Sequence, residues 1–189
     1  MTFLVLFAIS CAVSLCIPNG ELRVKQTEEV ITQEDRKRLA ESAIAEGKQF
    51  EWQGNAEAFR KALDRYEKAL ALLQSLNDRP GTAAALGHIG TVHHLLGEKQ
   101  KALDAFQQQL QLWRAEKERR KEVAEALHNI GIVHSSMGMA LKAIEFYEEA
   151  LLLRRAAEDR AGLASTLDNL GLAYLHAGEM QKASDYSNQ

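Results

Sequence analysis

The chain has 189 residues, of which 46% are hydrophobic and 26% are charged, a composition that can bury a core and excludes a disordered chain. Its formal net charge of -3 supplies no global positive field to attract nucleic acid or an anionic membrane surface. Only two prolines occur, and the residues that lose little freedom in a helix are abundant, so the sequence predicts an all-α protein.

The chain begins with an uncharged apolar run over residues 1–17. This length is typical of the hydrophobic region of a signal peptide, whereas a membrane-spanning helix needs about 20 apolar residues. We therefore expect a cleaved leader and an exported protein, which would be periplasmic, extracellular or membrane-anchored. The alternatives are a short membrane anchor or a wrongly assigned start codon, and without a leader the protein would be cytoplasmic. Both cysteines, Cys11 and Cys16, lie in this run, so its removal would leave no thiol for disulfides, catalysis or zinc.

A charged stretch follows over residues 18–38, and its lack of a sustained apolar face predicts a linker. The repeat domain is predicted over residues 39–189 and starts with a degenerate helix pair. Its first helix is expected over residues 39–52, and its second helix contains Ala62 and Tyr66. The eight residues from Gly54 to Ala62, where later copies have five, depart from the pattern and weaken the prediction for this first pair.

Three copies of one pattern follow at intervals of 41 and 40 residues. Each has a leucine, a glycine four residues later, a second glycine after seven more, and an alanine five residues beyond that. The copies are Leu86, Gly90, Gly97 and Ala102; Leu127, Gly131, Gly138 and Ala143; and Leu167, Gly171, Gly178 and Ala183. An aromatic residue comes four positions after the alanine in two copies, at Phe106 and Tyr147, whereas the third copy has Ser187 there.

Each copy is typical of two amphipathic helices, because apolar residues recur at steps of three and four. The second glycine lies where this period breaks and predicts the end of the first helix. The first glycine lies inside a helix, where it costs about 1 kcal/mol relative to alanine. Because this cost recurs at the same position, we expect the aromatic residue of the second helix to approach the backbone there.

The last predicted helix starts near Glu179 and stops at Gln189, without the leucine-rich segment of earlier copies. Natural repeat arrays end in a polar capping helix. We therefore expect the repeat domain to be incomplete at its C-terminus and the chain to be the N-terminal piece of a longer protein; the alternative is a frayed last helix.

These spacings resemble the tetratricopeptide repeat in its long, 40-residue form. The resemblance covers residues 39–189 and implies a right-handed superhelical solenoid of three and a half to four helix pairs. It also implies a protein-interaction scaffold that binds a partner peptide or protein segment in a concave groove. The chain is also similar to bacterial arrays that precede caspase-like CHAT peptidase domains. The alternative function is therefore the sensor arm of a longer enzyme whose catalytic domain lies beyond this chain.

The resemblance also implies where a partner would bind. In this family an asparagine two residues before the mid-helix glycine bonds the backbone of an extended peptide, and an amide suits this task because it both donates and accepts. Asn129 and Asn169 match that position, and His88 replaces it in the first full copy. The alternative is that both asparagines bond neighbouring helix backbones. The other outward positions complete the expected partner-binding set: Thr91, His94, His128, Ser135 and Asp168.

No metal, cofactor or enzymatic activity is expected. The six histidines include no pair spaced by four residues, as a helical zinc site requires. His93 and His134 occupy a packing position where the family usually has tyrosine. Trp52 and Trp113 are expected to seal helix junctions rather than to stack on bases or sugars. The expected partner is therefore a protein, with no nucleic acid, and with membrane contact only through residues 1–17 if they are retained.

Overall fold

The computed structural model describes residues 31–187, and for Ser187 the backbone alone. The leader predicted for residues 1–17 and most of the predicted linker therefore lie outside the described residues. All regular elements between residues 31 and 187 are helices, which confirms the all-α fold class. They are α1 Gln33–Glu51, α2 Ala56–Ser75, α3 Arg79–Leu95, α4 Lys99–Ala115, α5 Arg120–Ser136, α6 Ala140–Ala156, α7 Arg160–His176 and α8 Met180–Ser187.

Helix α1 begins six residues before the start predicted from the sequence. The hydroxyl of Thr32 accepts a hydrogen bond from the backbone N–H of Asp35 at 3.1 Å, and the Asp35 carboxylate accepts one from the backbone N–H of Thr32 at 3.1 Å. This reciprocal capping satisfies two backbone donors and places negative charge at the positive end of the helix. The prediction that residues 33–38 belong to a linker is therefore wrong, because a cap, rather than an apolar face, starts this helix.

The glycines that end the first helices adopt the left-handed backbone conformation. Gly97, Gly138 and Gly178 have φ values of 77°, 75° and 81°, and Gly54 has 68°. Glycine adopts this conformation without the steric cost that a Cβ atom adds. The helix ends predicted at these glycines are confirmed.

The mid-helix glycines make room for the aromatic rings of the second helices. A Cβ atom at each of three glycines would lie 2.5 or 2.6 Å from a ring carbon, well inside van der Waals contact. The pairs are Gly47 with Tyr66, Gly90 with Phe106, and Gly131 with Tyr147. The predicted approach of helix and ring is therefore confirmed, and the first, degenerate pair packs like the later ones.

The three additional residues between Gly54 and Ala62 lengthen a helix and leave the pairing intact. Helix α2 has 20 residues, whereas α4 and α6 have 17 each. Ala62 and Tyr66 remain fully buried. The insertion is therefore accommodated as about one further turn of α2.

The core runs between successive helices and is continued from one pair to the next. Leu127, Ile130 and Val133 on α5 are fully buried, packed with residues of α4 and α6, and each such side chain contributes about 1.5–3 kcal/mol through burial. Besides its sequence neighbours, α5 contacts both α3 and α7. The first helices of successive pairs are thus side by side, and we call the surface formed by α1, α3, α5 and α7 the first-helix face. No helix among the described residues is both long and apolar enough to cross a bilayer.

Candidate functional site

Two surface cavities open between successive first helices. The first has a volume of about 360 Å³ and is lined by Lys48, Glu51, Trp52 and His88. The second has a volume of about 90 Å³; its lining residues are Thr91, His94, Phe106, Asn129 and Ile132. The two cavities are lined by equivalent positions of the repeat. Each contains the residues one and four positions after one mid-helix glycine, together with the residue two positions before the mid-helix glycine of the next repeat. The same positions of the repeat therefore form a cavity at two successive junctions between first helices.

The first cavity combines an aromatic ring with groups of opposite charge. The His88 ring stacks on Tyr66 with centroids 4.8 Å apart, and the Tyr66 hydroxyl donates a hydrogen bond to the Glu51 carboxylate at 2.7 Å. Burial, and secondarily the charge of Lys48, lower the pKa of His88 below its usual value. The His88 imidazole is therefore neutral and offers a flat ring to the cavity, beside the cation of Lys48 and the anion of Glu51.

Trp52 does not seal a helix junction, and that prediction is wrong. The residue is 91% exposed, because it caps the C-terminus of α1 and projects from the first-helix face beside the first cavity. Trp113, in contrast, is 7% exposed, and the Arg119 guanidinium lies 5.4 Å from its ring centroid. The junction role predicted for Trp113 is confirmed.

The second cavity contains polar groups whose hydrogen-bonding capacity is not filled by the described residues. The Thr91 hydroxyl donates to the Gly87 carbonyl at 3.0 Å, so its oxygen faces other groups only as an acceptor. The Nδ1 atom of His94 is buried without a hydrogen-bond partner, and burial, then Lys99, lower the pKa of this ring. The half-buried Asn129 amide makes no hydrogen bond to another residue in the range 31–187. The cavity therefore offers both a donor and acceptors to an incoming polar group.

His128 lies within the junction between α5 and α7. The residue is 6% exposed; its Nδ1 atom is 3.2 Å from the Thr166 hydroxyl and its Nε2 atom is 3.3 Å from the Asn169 amide nitrogen. Burial, and secondarily Arg154, lower the pKa of His128 to about 4. Direct contact of this ring with a partner stays a prediction, and the observed contacts are with the neighbouring helix.

The remaining predicted site residues have different surroundings. Asn169 bonds a neighbouring side chain, His128, whereas the alternative raised by the sequence was a neighbouring backbone. Ser135 is half-buried and Asp168 is exposed, and neither lines the two cavities. Their roles in partner binding stay predictions.

Sequence reasoning missed three lining residues of the first cavity, Lys48, Glu51 and Trp52. A signal for them was present, because they follow Gly47 by one, four and five positions. Thr91 and His94 follow Gly90 by one and four positions in the same way. Applying the partner-facing offsets to the degenerate first copy would have found Lys48 and Glu51, but not Trp52.

Two histidines fill core positions, as predicted. His93 is 8% exposed and its Nδ1 atom lies 2.6 Å from the Glu98 carboxylate. His134 is also 8% exposed and stacks on Phe146 with ring centroids 5.3 Å apart. Among the described residues, no group of three or more histidine, cysteine or acidic side chains is placed to hold a metal ion.

Solved structures of helical repeat proteins resemble this fold. BtubC (BKLC) from P. vanneervenii aligns with a TM-score of 0.66 and 22% identity, over 82% of this chain and 60% of that protein. The nearly identical TPR-like repeats of a putative kinesin light chain from Podosopora anserina align with a TM-score of 0.69 and 17% identity, over 82% and 74%. The apo form of RapI aligns with a TM-score of 0.74 and 17% identity, over 82% and 42%. The chain thus spans less than two thirds of BtubC and less than half of RapI, and at these identities the likeness shows the fold.

The sequence comparison gives the family. No curated protein matches the chain, but the family model of the tetratricopeptide repeat matches residues 54–115 and 122–189, which is more than half of the chain. Arrays of such repeats bury a continuous core by stacking and present an extended surface to other proteins. The chain belongs to the tetratricopeptide repeat family, whose helical arrays are typically non-catalytic scaffolds for protein interactions.

Proposed function

We propose that this chain is a scaffold that captures a segment of a partner protein along the first-helix face. The observation that carries the proposal is the second cavity, where the buried Nδ1 atom of His94 has no hydrogen-bond partner among the described residues and lies in the same lining as Thr91 and Asn129. A buried polar group without a partner costs about 1–3 kcal/mol. A bound segment that supplies donors and acceptors would remove part of this cost.

The spacing of the face suits a polypeptide. Neighbouring packed helices lie about 8–10 Å apart, which is about the length of three residues of extended chain at roughly 3.3 Å per residue. One peptide group can therefore reach each successive first helix. The side-chain amide of an asparagine can form hydrogen bonds with the backbone of the bound peptide, whatever side chains the peptide carries.

The first cavity would add selectivity to this backbone binding. The exposed indole of Trp52 offers a large apolar surface, and Lys48 and Glu51 offer opposite charges beside it. Exposed aromatic residues of this kind are common anchors of protein interfaces. The second candidate, a sensor arm of a longer enzyme, stays a prediction, which the sequence that follows residue 189 in the genome would test.

The proposal can be tested by selecting peptides from a phage-displayed random library on the full chain and measuring their affinity by calorimetry. The double variant Asn129→Ala, Asn169→Ala removes two hydrogen bonds worth about 1 kcal/mol each, so we expect an affinity about 30-fold weaker. The control is Gln107→Ala, an exposed position on the second helix α4, which should leave the affinity unchanged. Full-affinity binding by the double variant, with helical content intact, would refute the proposal, as would a library that yields no binding peptide.

A further inference from the structure

A buried polar network links α6 to α7 and continues to α5. The Arg154 side chain is 7% exposed, and its Nη1 atom donates to the Thr166 hydroxyl at 2.8 Å and to the Gly162 carbonyl. The Thr166 hydroxyl itself donates to the Gly162 carbonyl at 3.0 Å. The Thr166 oxygen has then used its one hydrogen and one of its two lone pairs.

This arrangement favours one tautomer of His128. The remaining lone pair of the Thr166 oxygen faces His128 Nδ1 at 3.2 Å, which favours the tautomer that carries its proton on Nδ1 and donates to Thr166. In a neutral imidazole the other nitrogen is then an acceptor. The Asn169 amide nitrogen, which can only donate, lies 3.3 Å from that Nε2 atom, and the Ser165 hydroxyl lies 3.5 Å from it.

The preceding junction of the same chain lacks this network. One repeat earlier, Gly87 stands at the position equivalent to His128, Trp113 at the position equivalent to Arg154, and Ala126 at the position equivalent to Thr166. None of these three side chains can form the same hydrogen bonds. The asparagine at the equivalent of Asn169 is Asn129, whose amide has no hydrogen bond to another described residue. The two asparagines therefore differ in what holds them, although they share one register position.

We propose that His128 is a positioning residue, which holds the Asn169 amide nitrogen inward and leaves the amide oxygen to accept an N–H of the bound segment. This inference rests on the proposed function. Fixing a side chain before binding removes about 0.5–1.5 kcal/mol of ordering cost, which corresponds to an affinity about 2- to 10-fold tighter. The Asn169 amide oxygen is thus oriented as an acceptor before binding, whereas the Asn129 amide becomes oriented only on binding.

The positioning can be tested without a ligand by nitrogen-15 NMR of the full chain. We expect His128 as the neutral tautomer protonated on Nδ1, and slower side-chain N–H exchange at Asn169, which bonds His128, than at Asn129. His128→Gln keeps one donor and one acceptor and should retain this protection, whereas His128→Leu should abolish it. A tautomer protonated on Nε2, or equal exchange at Asn169 in the wild type and in His128→Leu, would overturn the inference.

Binding gives a second and separate readout, with a peptide selected from the displayed library as the probe. We expect His128→Leu to weaken binding about 2- to 10-fold, His128→Gln to restore it, and Asn169→Ala to have a smaller effect in the His128→Leu background than in the wild type. Fully additive effects of the two substitutions would overturn the positioning role. A library without binders overturns the proposed function, and the NMR result then still decides how Asn169 is held.

Discussion

Acidification should destabilise the fold through His128, and one substitution isolates this effect. Burial, with a smaller contribution from Arg154, lowers the pKa of His128 from 6.5 to about 4. The folded protein therefore keeps this ring neutral at pH values where an unfolded chain protonates it. His128→Gln removes the titration and keeps a donor and an acceptor in the network.

The sign and the size follow from proton linkage. Between pH 6.5 and about 4 the unfolded state binds more protons than the folded state, so the free energy of unfolding falls as the pH falls. The effect is absent above pH 6.5 and complete below about pH 4. A shift of this size corresponds to about 3 kcal/mol, at about 1.36 kcal/mol per pKa unit.

The assay is urea denaturation followed by circular dichroism at several pH values across this window. Burial also lowers the pKa values of His88, His94 and His134, and these rings give both proteins a slope of the same sign. The difference between wild type and His128→Gln cancels that shared slope. We expect the wild type to lose up to about 3 kcal/mol more than the variant on acidification; parallel pH profiles for the two proteins would refute the reasoning.

Three further substitutions test the fold and the face. Gly131→Leu should lower the free energy of unfolding by about 3 kcal/mol, because its Cβ atom alone would lie 2.5 Å from the Tyr147 ring; unchanged thermal stability would contradict the repeat register. Thr32→Ala should cost about 1 kcal/mol at the start of α1 and speed hydrogen exchange in its first turn, and unchanged exchange there would argue against the cap. Trp52→Ala should leave the unfolding midpoint nearly unchanged, because the side chain is exposed, and should weaken binding of selected peptides; a large drop in the midpoint would show that Trp52 packs in the core.

Much of the fold could be predicted from local spacing. The glycine pairs predicted both the helix ends and the places where Tyr66, Phe106 and Tyr147 pack, because each signal depends on residues within one helix pair. The early start of α1 had a local signal too, a threonine followed three residues later by an aspartate. Apolar periodicity does not reveal this start, because the stretch has no sustained apolar face.

The candidate site was predictable only in part. The offsets that placed Thr91, His94 and Asn129 around one cavity are a property of the repeat, and they recur at Lys48, Glu51 and His88. The same offsets placed His128 among the partner-facing residues, although the structure shows it buried. An offset tells which side of a helix a residue occupies, but not which helix packs against that side.

The sequence by itself determined the all-α class, the register of the repeats and the helix ends, because these depend on propensity, periodicity and glycine positions along the chain. Only the tertiary structure decided that Arg154 is buried while Trp52 is 91% exposed. It also decided that Asn169 is held by a histidine while Asn129 is not. The physical reason is that burial and hydrogen-bond partners come from neighbouring helices: Thr166 is 12 residues from Arg154 in the sequence and Asn169 is 41 residues from His128. These residues become adjacent only when the helices pack and the repeats stack.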